Sequence, residues 1–270
     1  MSRRLSGPRY WGGKQGIASW IVENLPPASR NQAYVEPYCG MASVLLARPP
    51  AGRELINDGS LLVVSWWEAI RDHPDELERM MRLTPHAREM RKEAYTISRE
   101  PAEYPLLKRA WAFQVLTKQS YRGQMNVPKT WTWTHNPSGS WAPFVHPDYR
   151  RLAERIAEVQ LESRDATWIL ERFVDVEHAV IYCDPPFVGP TIDPYLASMP
   201  DGLPVDLLLA QKGKVMVSGC EANDWTALET AGWRKIERLR KSKSTGDPIT
   251  DMLWVNYPPP DSGTIWNLEL

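Results

Sequence analysis

The sequence predicts an α/β protein, a Rossmann-like doubly wound and mainly parallel sheet that carries a mainly helical insertion. Three observations lead there. Short runs rich in Val, Ile, Leu and Tyr alternate with stretches of helical period, the pattern of a parallel sheet covered by helices. A strand, turn and helix unit near Tyr34 is followed about 20 residues later by a second short strand ending in acidic and amide residues, as in nucleotide-type folds. Between Leu61 and Arg122 the strand signal vanishes and apolar residues recur at three and four residue spacing.

The elements follow in order. YVEPYCGMASVLLA, from Tyr34, reads as a short strand, a turn around Gly40 and a small-residue entry into an apolar helix. ELIND, 54–58, is the second strand. Helical period then runs through WWEAIRD, ELERMMRL and YPLLKRAWAFQVLTKQS, punctuated by Pro74, Pro85, Pro101 and Pro105. QMNVPKTWTWTHNPSGSWAPF loses that period and reads as an exposed loop or hairpin. Strand signals resume at VQLES (159–163), AVIYC (179–183), KVMVSG (214–219) and MLWVNY (252–257), the last suited to an antiparallel edge. Residues 1–66 and 151–270 are therefore expected to form the sheet domain, with 67–150 inserted between its strands.

With 270 residues and 43% hydrophobic content, the chain can bury a sizeable core. No apolar run reaches the roughly 18 residues that span a bilayer, and MSRRLSGPRYWGG has charge without the apolar segment of a secretory signal. The expectation is a cytoplasmic protein without a membrane partner. Cys39, Cys183 and Cys220 lie far apart, with no CxxC pair and no histidine cluster, so reduced cysteines and no metal are expected. A net charge of −1 offers no global case for nucleic acid. RKIERLRKSK, 234–243, is a local basic cluster for which a solvated face and a phosphate contact weigh equally.

AVIYCDPPFVGP, 179–190, concentrates the chemistry. Ligands of open parallel sheets sit beyond the carboxyl ends of the strands, which places Asp184 in the binding crevice. Pro185 and Pro186 have no N–H, so their carbonyls and the Asp184 carboxylate form a wall that accepts hydrogen bonds and donates few. Phe187 adds a flat face, and stacking on a nucleic-acid base contributes about 1–3 kcal/mol. Acceptors beside a stacking face fit an aminated heterocycle. Prolines and aspartate are also ordinary turn residues, and the tetrapeptide alone weighs evenly between site and turn.

The neighbours tip that balance. RYWGGK (9–14), YVEPYCGMASVLL (34–46), IND (56–58) and DPPF (184–187), in this order, resemble the motifs of the Dam-like family of S-adenosylmethionine-dependent DNA adenine methyltransferases, and GKVMVSG and DMLWVNYP resemble its later strands. The likeness covers nearly the whole chain and is weakest over 67–150. It implies the methyltransferase fold, S-adenosyl-L-methionine as cofactor and double-stranded DNA as partner. Tyr10, Trp11 and Lys14 would border the cofactor, with Lys14 near its carboxylate. Glu36, Pro37, Tyr38, Gly40 and Ala42 would form the turn approaching its methionine portion, although the family usually has glycine where Ala42 stands. Asp58 would accept from the ribose hydroxyls, a helix N-cap being the alternative. Asp165 would meet the adenine amine or cap the helix starting near Thr167. The GGK is no Walker loop, since Gly13 stands where lysine is required and no strand precedes it.

On this resemblance Asp184, Pro185, Pro186 and Phe187 form the catalytic tetrapeptide, with phenylalanine where the family more often has tyrosine. Asp184 and the Pro185 carbonyl would grip the amine of a flipped adenine for in-line methyl transfer. Amino methylation of cytosine stays open, as does a DNA-binding relative without turnover. Ring-carbon methylation of cytosine is disfavoured because Cys183 alternates to the face opposite Asp184. A nicotinamide dehydrogenase is disfavoured by the missing GxGxxG. DNA contact falls to the insertion: Tyr121, Arg122 and Asn126, then Trp131, Trp133 and Asn136, with inward-packed tryptophans the commoner structural alternative.

Overall fold

The structure, a computed structural model, describes residues 5–8, 10, 12–120, 125, 131, 147–186, 204–219, 225–241 and 248–258. Among the described residues the strands are β1 (Ala33–Glu36), β2 (Arg53–Asn57), β3 (Gln160–Glu162), β4 (Ala179–Cys183), β5 (Lys214–Gly219), β6 (Arg234–Lys241) and β7 (Pro248–Val255). They form one sheet in the order β3-β2-β1-β4-β5-β7-β6. β1 runs parallel to β2 and β4, and β4 parallel to β5; β7 is antiparallel to both β5 and β6. The helices are α1 (Ala18–Asn24), α2 (Leu61–Asp72), α3 (Pro74–Leu83), α4 (Arg88–Arg99), α5 (Leu106–Gln119), α6 (Tyr149–Ile156), α7 (Ala166–Phe173), α8 (Val205–Leu209) and α9 (Thr226–Thr230). This is the mixed α/β architecture expected of a Rossmann-like sheet. No helix among the described residues is long and apolar enough to cross a membrane.

Every residue of β1 and β4 is buried, as central parallel strands require, which is why AYVE and AVIYC are nearly continuous apolar runs. The exception, Glu36, is buried with a carboxylate oxygen accepting from the Tyr34 hydroxyl at 2.8 Å. β6 shows the opposite composition, exposed or half-buried at each position. Charge at nearly every residue is how an edge strand resists pairing with another chain, and it also hid the strand from periodicity.

The chain divides into two compact units, one of residues 1–18, 40–47 and 58–163, the other of 19–39, 48–57 and 164–270. In the first, α5 is buried on all sides from Ala110 to Gln119 and carries polar residues inside. Those are satisfied: Trp66 Nε1 donates to Gln114 Oε1 at 2.8 Å, and Gln114 Nε2 donates to the Tyr149 hydroxyl at 2.6 Å. Pro74 opens α3, where a missing N–H costs nothing, and Asp75 and Glu76 favour the positive end of the helix dipole. In the second unit, Val35, Ile181, Cys183, Val215, Val217 and Trp254 pack with Leu170 of α7 and Leu228 of α9 into one core.

One expected helix does not form. After Gly40 the chain makes only a 3-10 turn, Leu45–Ala47. Pro49 disfavours helical geometry at Arg48, Pro50 repeats the obstacle, and Ala42 sits at a φ of 41°, outside the right-handed region.

Gly52 links the start of β2 to the turn before β1, its N–H donating to Ser29 O at 3.0 Å. A Cβ there would stand 1.7 Å from the Arg30 carbonyl oxygen, whereas one at Gly59 meets nothing within 4 Å. Gly52→Ala is expected to destabilise the protein by more than about 2 kcal/mol and Gly59→Ala by less than about 0.5 kcal/mol, as read by urea unfolding.

Candidate active site

The buried run of β4 ends by delivering Asp184, half-buried, followed by buried Pro185 and half-buried Pro186. Its carboxylate is held from β5: the Ser218 hydroxyl donates to Asp184 Oδ1 at 2.7 Å and accepts from the Tyr182 hydroxyl at 3.0 Å. Both supporting side chains are 2% exposed. Burial, and after it the negative charge of Asp184, raises the Tyr182 phenol well above its ordinary range, so it remains a donor. Neither proline contributes an N–H, so the segment presents acceptors backed by a donor relay.

Strand alternation sends Cys183 the other way, into the core with Val35 and Ile181. Burial pushes its thiol up, away from the thiolate that a nucleophile needs. Among the described residues no group of three or more His, Cys, Asp or Glu could hold a metal ion.

Beyond β1, the backbone of Pro37 and Cys39 is fixed by a residue outside the expected set. Asn57, fully buried, donates from Nδ2 to Pro37 O at 2.8 Å and Arg164 O at 3.0 Å, while its Oδ1 accepts from Arg164 N at 2.9 Å. Its own carbonyl accepts from Cys39 N at 2.8 Å. Tyr38 lies half-buried against the core, its phenol raised chiefly by that burial. Asp165 is exposed and caps α7, with Oδ1 accepting from Thr167 N at 2.8 Å. The cap reading is thus the observed role of that oxygen.

In the other unit, Gly40 and Ala42 adopt left-handed backbone at φ of 46° and 41°. For glycine this is free, while an alanine there costs on the order of 1 kcal/mol. The Tyr10 ring lies so close to Gly40 that a Cβ would meet it at 3.2 Å, and it packs on Phe113 with centroids 5.8 Å apart. Trp67 Nε1 donates to Gly40 O at 2.8 Å. Asp58 receives Gly40 N on Oδ2 at 3.0 Å and Ser60 N on Oδ1 at 2.9 Å. Ser60, not Asp58, occupies the cap position of α2. Burial raises the Asp58 carboxyl to about 6 against the lowering by those two N–H bonds. Between about pH 4 and 6 the folded chain therefore holds a proton that the unfolded chain has released, and this stabilising contribution is lost as pH rises through 6. Lys14 Nζ donates to Gly12 O at 3.0 Å.

Trp131 pairs as an isolated antiparallel bridge with Ser120, under the Arg88 guanidinium at 4.9 Å and beside His86 with centroids 5.1 Å apart. It is packed against its neighbours. Trp11, Phe187, Tyr121, Arg122, Asn126, Trp133 and Asn136 lie outside the described residues. Asn57, Ser218, Tyr182 and Trp67 are the residues that sequence reasoning missed. The available signal was a lone polar residue in an apolar strand, LIN and VMVSG, since such a group must find a partner.

Asn57→Ala leaves two carbonyls and an N–H without their partner. A loss of about 3 kcal/mol or more is expected by urea unfolding.

The family model described as D12 class N6 adenine-specific DNA methyltransferase matches residues 10–192, more than half of the chain, from the first glycine turn through the DPPF tetrapeptide. No curated protein matches the sequence. The family match decides two readings left open by the residues: the base is adenine rather than cytosine, and the protein is an enzyme rather than a binding relative. The chain belongs to the D12 class of N6 adenine-specific DNA methyltransferases, enzymes that methylate the exocyclic amine of adenine in DNA.

Proposed function

We propose that the methyl donor is S-adenosyl-L-methionine and that Asp184 with the Pro185 carbonyl receives the adenine amine, in double-stranded DNA, after the base is flipped out. The observation that carries this is the Ser218 bond to Asp184 Oδ1 at 2.7 Å, which orients a carboxylate beside two residues that cannot donate. An exocyclic amine has two N–H groups, and acceptors for both turn its nitrogen lone pair toward an electrophile. Rate comes from that orientation and from acceptors placed where positive charge develops on nitrogen. Flipping costs a few kcal/mol, and Phe187 is the proposed stacking partner that offsets part of it.

The donor supplies a methyl group on a sulfonium centre. The residues proposed to hold it have matching chemistry. Each oxygen of Asp58 accepts one backbone N–H and retains a lone pair suited to a ribose hydroxyl. Gly40 brings bare backbone forward at positive φ, as close approach to the methionine portion demands, and Ala42 adopts the same region despite its methyl. Tyr10, Trp11, Lys14, Glu36, Pro37, Tyr38 and Asp165 complete the proposed donor set. Residues 67–150 are proposed to read the target, with Tyr121, Arg122, Asn126, Trp133 and Asn136 as candidate contacts; Trp131, packed under Arg88, is proposed to buttress that segment.

Transfer of labelled methyl to duplex DNA tests the chemistry. Asp184→Ala is expected to abolish it in a protein that still melts cooperatively. Ser218→Ala is expected to lower kcat about 10- to 100-fold with little change in KM for DNA, and Tyr182→Phe less, because both act through the carboxylate orientation. Equal activity of Asp184→Ala and the unaltered protein would overturn the assignment. Donor affinity measured by calorimetry is expected to hold steady above about pH 6 and to fall below it, as Asp58 takes up the proton that burial favours.

A further inference from the structure

The β6–β7 hairpin extends farther than the sheet it borders. Cys183 of β4 is level with Val217, so Asp184 stands opposite Ser218, which is level with Leu253 of β7 and Ile236 of β6. β5 ends at Gly219, opposite Met252 and Glu237. Four further pairs, Arg238 with Asp251 through Lys241 with Pro248, continue past that end on the side where Asp184 emerges. At about 3.4 Å per residue the overhang projects about 14 Å, and three strand spacings place its β6 arm about 14 Å to the side of Asp184.

The overhang is basic. It carries Arg238, Arg240 and Lys241 against Asp251, in a chain whose net charge is −1. Lys235 pairs with Glu237 at 2.8 Å, and Arg240 forms a two-pronged ion pair with Asp251. Those pairs tie β6 to itself and to β7, and within the overhang they leave Arg238 and Lys241. Arg238 is exposed, its guanidinium 5.6 Å from the Trp20 ring centroid, and Lys241 is exposed with no ion pair among the described residues. Protection of an edge strand accounts for charge anywhere along β6, but not for a projection past the end of β5 that carries exposed Arg238 and Lys241.

We propose that this overhang, through Arg238 and Lys241, holds the phosphate backbone of substrate DNA to the side of the adenine being methylated. DNA as substrate follows from the family; the placement beside the reacting base rests on Asp184 as the site of chemistry. Phosphate contacts position a duplex without reading its sequence, and each one lost removes about one unit of the dependence of log affinity on log salt.

Anisotropy of a fluorescent duplex, titrated with the full chain from 50 to 300 mM salt, tests the proposal. Lys241→Gln is expected to weaken binding about 3-fold and lower the salt slope by about one. Arg238→Gln with Lys241→Gln is expected to weaken it about 10-fold or more and lower the slope by about two, equally for unrelated duplex sequences, with kcat at saturating DNA and donor affinity unchanged. Lys212→Gln is the control for bulk charge, since Lys212 precedes the amino end of β5 and pairs with Asp175 at 2.9 Å. Slopes equal to that of the unaltered protein, or the same drop with Lys212→Gln, overturn the proposal, as does aggregation of Lys241→Gln at unchanged affinity, the mark of edge protection alone. The Asp184→Ala variant separates the two claims. If it still transfers methyl groups, the catalytic assignment and the placement fail, while the slopes still decide whether the hairpin holds DNA.

Discussion

Asn57 and Asp58, consecutive at the end of β2, use their side-chain polar atoms on backbone rather than on each other. The amide of Asn57 clasps Pro37 O and both backbone polar groups of Arg164, so the segment after β1 and the segment before α7 are tied to one buried residue. The carboxylate of Asp58 receives Gly40 N and Ser60 N. Loops at the carboxyl ends of parallel strands have no ladder partner for their backbone groups, and an unpaired buried group costs about 1–3 kcal/mol. These two residues satisfy that demand at Pro37, Gly40, Ser60 and Arg164.

A second constraint shapes β4. A run buried at each position must end on a carboxylate without leaving that charge unsupported. Prolines cannot donate to it, and a donor comes from the neighbouring strand. Ser218 supplies it, and the Tyr182 hydroxyl behind it directs the serine proton toward Asp184. The phenol, raised by burial and by the carboxylate, stays protonated at neutral pH and keeps the relay pointing one way. The same strand directs Cys183 into the core, where burial pushes its thiol up. One alternation of side chains thus separates a polar face from a packed one.

Polar groups inside the helical unit follow the same rule. Gln114, on a helix buried all round, bridges Trp66 and Tyr149. Arg91, buried on α4, donates to the Ser120 hydroxyl at 3.1 Å, next to the bridge that Ser120 forms with Trp131. These hydrogen bonds join α2, α5 and α6 through Gln114, and α4 to the end of α5 through Arg91.

The amino-acid sequence by itself determined the sheet class, the positions of β1, β2, β4 and β5, the buried half of β7, and the DPPF and IND motifs, because buried strands are written as dense apolar runs and because the motifs are contiguous. It did not disclose β6, whose Ile236 and Leu239 are three apart and whose charges look like a solvated surface. Nor did it disclose that ASVLLA makes a single 3-10 turn, since the apolar content signals burial while Pro49 and Pro50 decide the backbone. Only the tertiary structure decided what supports the carboxylate: Ser218 is 34 residues from Asp184 and Asn57 is 107 from Arg164 along the chain. A hydrogen bond depends on distance in space, and nothing in local periodicity records which distant strand will be adjacent.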